Sequence, residues 1–342
     1  MKQERDQSVD ILRGIAIFAM IAANMAAHSL QEPHSFLFRL YGSIAAPLFV
    51  FLAGMMVSVT SKTKSHPIQY YLKRAVAVLF IASLIDIFLW NIIPFTTFDV
   101  LYVIAFAMPL IYYFNKLKTA LRISIVFVLF VVAPILQNTF GYIEYPLEVN
   151  VFRNTNFSEL SLTLVLKQFF IDGWFPLFPW LGVSFLGAVI GSYKIKTPIY
   201  EYNKRMLITG FVLLFVGIIS WIYFNPKLFI REGYSELFYP PTLYYLASIL
   251  GFIFILSVII YQFKSNKFIN LLSVYGQSSL LVYILHTVLI VFVFNEFDSY
   301  SPLFFTVLYF LHALALWAVC YFIKLIKKDK KLPFLVTLIL GH

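Results

Sequence analysis

The sequence predicts an all-α, polytopic membrane protein of about ten transmembrane helices with both termini in the cytosol. Three observations carry this. First, 61% of the 342 residues are hydrophobic and only 12% are charged, with a mean hydropathy of +0.84. A water-soluble fold of this size cannot hide so much apolar surface, so lipid must be the solvent for most of it. Second, apolar runs of the roughly 20 residues that a bilayer demands recur along the chain. Third, Lys and Arg fall on alternate connections between those runs.

The runs lie near 11–30, 40–60, 74–94, 98–114, 119–137, 168–192, 205–224, 241–262, 274–295 and 302–324, so that 1–342 reads as a single transmembrane domain. The first lacks a short apolar core followed by small-residue cleavage chemistry, and reads as a retained helix. The sixth carries Pro176 and Pro179 and is expected to be broken or partly re-entrant. The stretch 332–340 is too short to cross and is expected in the interface. The longest connection is 138–163; loops of that length are functional or disordered. Covering an external pocket and merely joining two helices are both open to it. Asn156-Phe157-Ser158 within it fits a glycosylation triplet, which matters only in a secretory-pathway host. The lone cysteine, Cys320, rules out an internal disulfide.

With the N-terminus in the cytosol, 21 of the 26 basic residues fall on inner segments, leaving Arg39, Arg153, Lys167, Lys227 and Arg231 outside. Nine of the 16 acids lie outside: Glu32, Asp99, Glu144, Glu148, Glu159, Glu232, Glu236, Glu296 and Asp298. An odd number of spans would break this alternation. The same bias accounts for the net charge of +10 without any nucleic-acid partner.

Polar groups inside spans are costly and become functional candidates by default. The first span is the richest, with Asp10, Arg13, Asn24 and His28, and with His34 just beyond its end. Asp10 and Arg13 stand three apart and share a helix face; anchoring the helix at the inner interface is as good a reading as a site. Ser8 is placed to cap the helix, and Gly14 permits close approach of a neighbour. His28 and His34 bring imidazoles, the usual proton carriers near neutral pH, which can also carry an acyl group. A lone interfacial histidine is more often a plain hydrogen-bonding residue, but two of them with an asparagine and an ion pair are harder to dismiss. In the ninth span His286 sits well inside the membrane, with Ser279 and Tyr283 on nearly the same face. His312 has no comparable polar company and reads as structural. Asp86 and Asp172 are the remaining intramembrane acids, either able to orient a histidine or bind a cation. Asp172 opens Gly173-Trp174-Phe175-Pro176-Leu177-Phe178-Pro179-Trp180-Leu181-Gly182, irregular backbone that survives at membrane depth only against protein or a cavity. No metal-ligand spacing and no nucleotide loop appears, which argues against an ATP-driven pump.

The opening Ser8-Val9-Asp10-Ile11-Leu12-Arg13-Gly14-Ile15-Ala16, followed by Met20 and Asn24, resembles the start of the heparan-alpha-glucosaminide N-acetyltransferase family and its bacterial relatives. The likeness continues in Pro47 through Gly54, in Phe98-Asp99-Val100-Leu101, in the Phe-Pro-Trp-Leu-Gly stretch ending at Gly182, and in Ser279 through His286. Each motif is short; their order is the specific part. The resemblance implies transfer of an acetyl group from cytosolic acetyl-CoA to an amino sugar across the membrane, with an asparagine and a following outer histidine in the active site. Here those positions fall on Asn24 and His34, with His28 competing for the histidine role. The lysosomal member's long luminal extension is absent, so a bacterial cell-envelope glycan is an equal candidate acceptor. The acyltransferase-3 family, with a similar Arg-Gly opening and a histidine in its first span, is a near neighbour.

The expected enzyme is therefore a multi-pass acyltransferase of the bacterial plasma membrane, with acyl-CoA, a glycan or amino-sugar acceptor and membrane lipid as partners, no metal, and a homodimer compatible with the sequence. Lys73 and Arg74 would attract the phosphates of acyl-CoA, and Asp10 and Arg13 would shape the inner mouth. His34, His28 or His286 would serve the proton or acyl chemistry. Asn24 would support the oxyanion, a role worth about 3–4 kcal/mol where such donors are removed. The rival class is a secondary transporter of a lipid-linked or small anionic solute, which also explains a broken sixth span and buried charges. A non-catalytic structural membrane protein is the third reading.

Overall fold

The computed structural model describes residues 6–64, 66–152, 160–294, 300–327 and 332–341. Lys2, Arg5, Arg153, Glu159, Glu296, Asp298, the Asn156-Phe157-Ser158 triplet, Lys328, Lys330 and Lys331 lie outside these. Among the described residues the regular structure is helical throughout, with only isolated single-residue bridges such as Leu30 to Tyr300.

Seven helices are long and apolar enough to cross a membrane. They are α1 (Gln7–Ser29), the pair α2 (Phe36–Gly42) and α3 (Ala45–Thr63) taken together, α6 (Thr119–Phe140), α8 (Leu177–Lys196), α9 (Ile199–Phe224), α10 (Leu243–Phe263) and α14 (Pro302–Lys327). A bent pair makes an eighth: α11 (Lys267–Leu271) with α12 (Ser273–Gln277), then α13 (Ser279–Phe292) at 78° to them. Between these run α4 (Ile68–Ile85), which continues as a π-helical turn over Asp86–Trp90, and the shorter apolar α5 (Val100–Phe114). They are antiparallel, because Tyr71 packs on Tyr112 at one end and Tyr102 donates to Asp86 at the other. α7 (Leu162–Lys167) runs into a second π-helical turn, Gln168–Asp172, and α15 (Phe334–Leu340) closes the chain.

Burial ranks the helices. In α1, 78% of the most apolar window is enclosed, against 17% in α6 and 11% in α9. α1 is thus the central post, and the outward faces of α6 and α9 carry Phe127, Phe211 and Phe215 to the surroundings, as a lipid solvent allows. Close helix crossings rest on glycine: a Cβ on Gly14 would meet the Leu272 carbonyl oxygen at 2.0 Å, and one on Gly54 the Ser184 carbonyl oxygen at 1.8 Å. The small side chain lets backbones touch where dispersion must hold helices together.

Several local expectations shift. Asp6, not Ser8, caps α1, accepting from the Ser8 amide at 3.0 Å and the Ser8 hydroxyl at 2.6 Å. The sixth run divides at Gly173–Pro176: its first residues form the π-helical turn, and the crossing helix begins at Leu177. Phe169 of that turn packs edge-on against Phe98, with ring centroids 4.2 Å apart. The ninth run breaks at Ser278; Ser273–Gln277 crosses beneath α1, where a Cβ on Gly276 would meet the Asp10 carbonyl oxygen at 1.9 Å. α15 folds back on this end, its Leu340 carbonyl accepting from Ser278 and Lys327. We call the end where α1 begins proximal and the opposite end distal.

Candidate functional site

Met20, Asn24 and His28 stand four apart on the distal half of α1 and share a face. That face lines a cavity of about 150 Å³. Its extent along α1, eight residues, corresponds to about 12 Å at the helical rise, so it reaches well into the bundle. Opposite walls come from Ala45, Ala46 and Phe49 of α3, from Asp86 and Trp90 of the first π-helical turn, and from Tyr283 and Thr287 of α13. The distal connections form the roof with Asp99, Glu148, Trp174, Glu232, Tyr234 and Glu236.

Arg231 ties this roof together. It is fully buried and donates to the carbonyls of Gly173 at 2.8 Å, Ile143 at 2.9 Å and Asp172 at 3.3 Å. Its guanidinium lies 4.6 Å from the Tyr142 ring and 4.8 Å from the Tyr239 ring. One cation thus joins three connections that are far apart in sequence. The long connection is also pinned to the end of α4: Ile93 donates to the Val149 carbonyl at 2.9 Å, and Val151 to the Asn91 carbonyl at 3.0 Å. Asn91 takes the left-handed backbone conformation (φ 57°) that its short polar side chain tolerates. Within this connection Pro146 and Val149 are buried, and Glu148 faces the cavity.

The lining is acidic, with five carboxylates and no Lys or Arg. Asp86 accepts from Tyr102, and Asp99 from Tyr283 and the Val100 amide. Burial pushes Glu236 up to about 7. Burial, followed by the neighbouring Glu232 charge, pushes Glu148 up to about 7 against the opposing Trp174 hydrogen bond. Burial likewise raises Glu232 and Tyr234. A neutral or half-neutral carboxyl at pH 7 can both give and take a proton.

The chief polar contact at the chamber wall joins residues 262 positions apart: Asn24 Nδ2 lies 2.8 Å from His286 Nε2. His286 Nδ1 is 3.0 Å from the Val282 carbonyl, which can only accept. The proton therefore sits on Nδ1, and Nε2 accepts from the Asn24 amide. That leaves the second Asn24 N–H and its carbonyl oxygen for the chamber. His28 lines the same wall, with Nε2 3.3 Å from the Tyr234 hydroxyl and its ring stacked on Trp90 at 6.2 Å.

His34 is placed behind the roof. Its Nδ1 pairs with the Ser235 hydroxyl at 2.8 Å and its Nε2 with the Leu30 carbonyl at 3.3 Å, and it is not among the lining residues. Asp10 and Arg13 pair at 3.7 Å at the proximal end, about 20 Å of helix below Asn24. Lys73 stands over the Phe334 ring at 4.5 Å, and Arg74 donates to Tyr70 at 3.3 Å. Asn24 and His28 thus line the chamber, His286 meets it only through Asn24 and is not itself a lining residue, and all three are separate from the four proximal residues. Among the described residues no hydrogen bond or ion pair joins Asp86 or Asp172 to a histidine; Asp86 accepts from Tyr102 and Asp172 pairs with Lys167 at 3.0 Å. His312 is buried against the Phe294 ring at 5.3 Å. Among the described residues no group of three or more His, Cys, Asp or Glu side chains is arranged to hold a metal ion.

Sequence position alone places the carboxylates Glu148 and Glu236 outside the spans, where an acid reads as part of the charge bias. The signal available was company: Glu236 stands within Tyr234-Ser235-Glu236-Leu237-Phe238-Tyr239, too apolar for a freely solvated connection.

Fold and site together define an all-helical integral membrane protein with a partly open chamber lined by five carboxyl groups and by Asn24, which His286 holds from behind. A family model described as heparan-alpha-glucosaminide N-acetyltransferase, catalytic, matches residues 5–224, well over half of the chain, and the chain belongs to that family. Membership makes it a membrane acetyltransferase in general class. The match takes in Asn24, His28, Asp86, Asp99 and Glu148, and it ends before Glu236 and His286. A search of curated proteins finds no match to this chain.

Proposed function

We propose that this protein moves an acetyl group from cytosolic acetyl-CoA to an amino sugar or other glycan acceptor held in the distal chamber. The observation that carries the reading is the Asn24–His286 contact at the chamber wall. An amide with one N–H engaged by a buried imidazole is held rigid, and its free N–H can receive the oxygen of a tetrahedral intermediate. A neighbouring acidic lining suits proton removal from the acceptor, and apolar walls exclude water that would hydrolyse the thioester.

In this reading the proximal face is cytosolic in a bacterial plasma membrane, with both termini there and ten passes, α4 and α5 completing the count. The concentration of Lys and Arg at that face supports it. Lys73 and Arg74 meet the phosphates of the donor, Asp10 and Arg13 border its entry, and the thioester reaches toward Asn24. His28 borders the acyl group, while His34 braces Ser235 behind the roof.

The test uses purified protein sealed in vesicles with acetyl-CoA supplied to one face. Acceptor-dependent release of free thiol, seen only when donor reaches the proximal face, supports the reading. The bent α12–α13 pair at 78° favours the transporter alternative. Counterflow of unmodified solute with no thiol release would establish that alternative instead.

A further inference from the structure

We infer that Glu236 is a catalytic base of the acetyl transfer, taking the proton from the acceptor nitrogen or oxygen as it attacks the thioester carbonyl. This rests on the proposed acetyl transfer in the distal chamber. Glu236 lines that chamber and is only 6% exposed, yet its Oε2 has no hydrogen-bond partner. A buried carboxylate oxygen without a partner is rare enough to require a reason. Asp86 and Asp99, by contrast, are each engaged by a tyrosine hydroxyl.

The backbone on both sides of Glu236 is fixed by α2 and the turn that follows it. Arg39 Nε donates to the Ser235 carbonyl at 2.6 Å, and the Leu237 amide donates to the Ser43 hydroxyl at 2.7 Å. Ser43 is itself held, its hydroxyl donating to the Arg39 carbonyl at 2.6 Å and its carbonyl accepting from Tyr245 at 2.6 Å. Gly42 leaves room for the carboxylate beside α1: a Cβ there would stand 3.6 Å from Glu236 Oε1 and 3.1 Å from the Cβ of Ala23, the neighbour of Asn24. The carboxylate is thus held near the oxyanion donor by atoms that take no part in chemistry, as a base must be.

The two histidines nearby have other work. His34 has both ring nitrogens engaged, and His28 Nε2 meets Tyr234. The charged and titratable groups facing Glu236 are Arg39 from α2, Tyr245 from α10, and Tyr234 and Tyr239 from its own connection. Across the chamber stand His28, Asp86, Asp99, Glu148 and Glu232. Burial outweighs the hydrogen bond from its own backbone amide and the Arg39 charge, and leaves the group titrating at about 7, where a base works best. In the step itself the acceptor N–H or O–H proton passes to Oε2 while the new C–N or C–O bond forms. The C–S bond then breaks, its electron pair leaves on sulfur, and the thiolate takes the proton back from Glu236. Acetyl acceptor and free thiol are the only products.

The experiment is the pH profile of acetyl transfer from acetyl-CoA to glucosamine by the full-length protein in nanodiscs. Wild-type turnover should rise as pH passes through about 7. Glu236→Gln, which keeps the shape, should lose about 10²–10⁴-fold in kcat together with that rise, while intrinsic fluorescence and elution remain native. Glu236→Ala should regain turnover when formate is added. A Glu236→Gln protein that matches wild type in rate and profile overturns this assignment and leaves acetyl transfer standing, as does a folded Glu236→Ala protein that formate never restores. A wild-type protein that transfers no acetyl group removes the underlying reading and this assignment with it.

Discussion

Asn24 and His286 should act as one unit, and a double-mutant cycle measures that. Asn24→Ala removes the proposed oxyanion donor, a change that costs about 10²–10³ in kcat where such donors have been deleted. It also strips the partner from His286 Nε2, on a side chain with no exposed surface. An unsatisfied buried acceptor costs about 1–3 kcal/mol of stability. His286→Ala leaves the amide in place but frees it to rotate, since the 2.8 Å contact is what holds it. Misplacing a catalytic group by about 1 Å costs on the order of 10². If imidazole acts only by holding the amide, the double variant should be no slower than Asn24→Ala alone, a coupling of up to about 3 kcal/mol. Thiol release from acetyl-CoA provides the assay, and the chain's single cysteine, Cys320, is buried and adds little background. Losses that multiply in the double variant would mean that the two side chains act separately, and the oriented-amide argument would fail.

Three further outcomes follow from the same geometry. Burial holds Glu236 at about 7, above its ordinary 4.5, so the native state binds more protons than the unfolded chain between those values. Stability should fall as pH rises through that window, and Glu236→Gln should gain on wild type across it by about 3 kcal/mol; a melting-temperature difference that does not change with pH would contradict this. Gly54→Ala forces a methyl to within 1.8 Å of the Ser184 carbonyl oxygen, so α3 and α8 must separate. Unfolding in detergent should show a loss of at least about 1–3 kcal/mol, and an unchanged melting temperature would refute the crossing. Arg231→Met removes donors to the Gly173, Ile143 and Asp172 carbonyls. It should cost about 1–3 kcal/mol for each buried carbonyl left without a donor and expose the distal connections to protease, whereas a cleavage pattern like wild type would show that Arg231 does not tie them.

Much of this was legible from residue type and spacing. The apolar runs gave the helical membrane fold because length and hydropathy alone decide what a bilayer accepts. Asn24 and His28 stood out as polar groups on the first span, where such groups are costly. The partner of Asn24 was not legible: His286 lies 262 positions away and meets it only because Ser278 bends α12 from α13 by 78°. Average hydropathy over a span does not give the angle of such a bend; the Gly276-Gln277-Ser278-Ser279 stretch is a local polar dip, but nothing in it says how far α13 turns from α12. His34 stood out by sequence proximity to α1, but Ser35 caps a new helix there and turns the chain toward Ser235. Glu148 and Glu236 looked like surface charge because nothing local marks a connection as a roof. The fully buried Arg231 beneath three carbonyls was the physical sign, and it became readable only in three dimensions.

A structure of the protein with a non-hydrolysable acetyl-CoA analogue puts the central claim at greatest risk. The account predicts the acyl carbonyl oxygen about 3 Å from Asn24 Nδ2, the acyl carbon facing Glu236, and the phosphates at the proximal face beside Lys73 and Arg74. An analogue seated elsewhere, with Asn24 and His286 paired as before and untouched by the thioester, would contradict it.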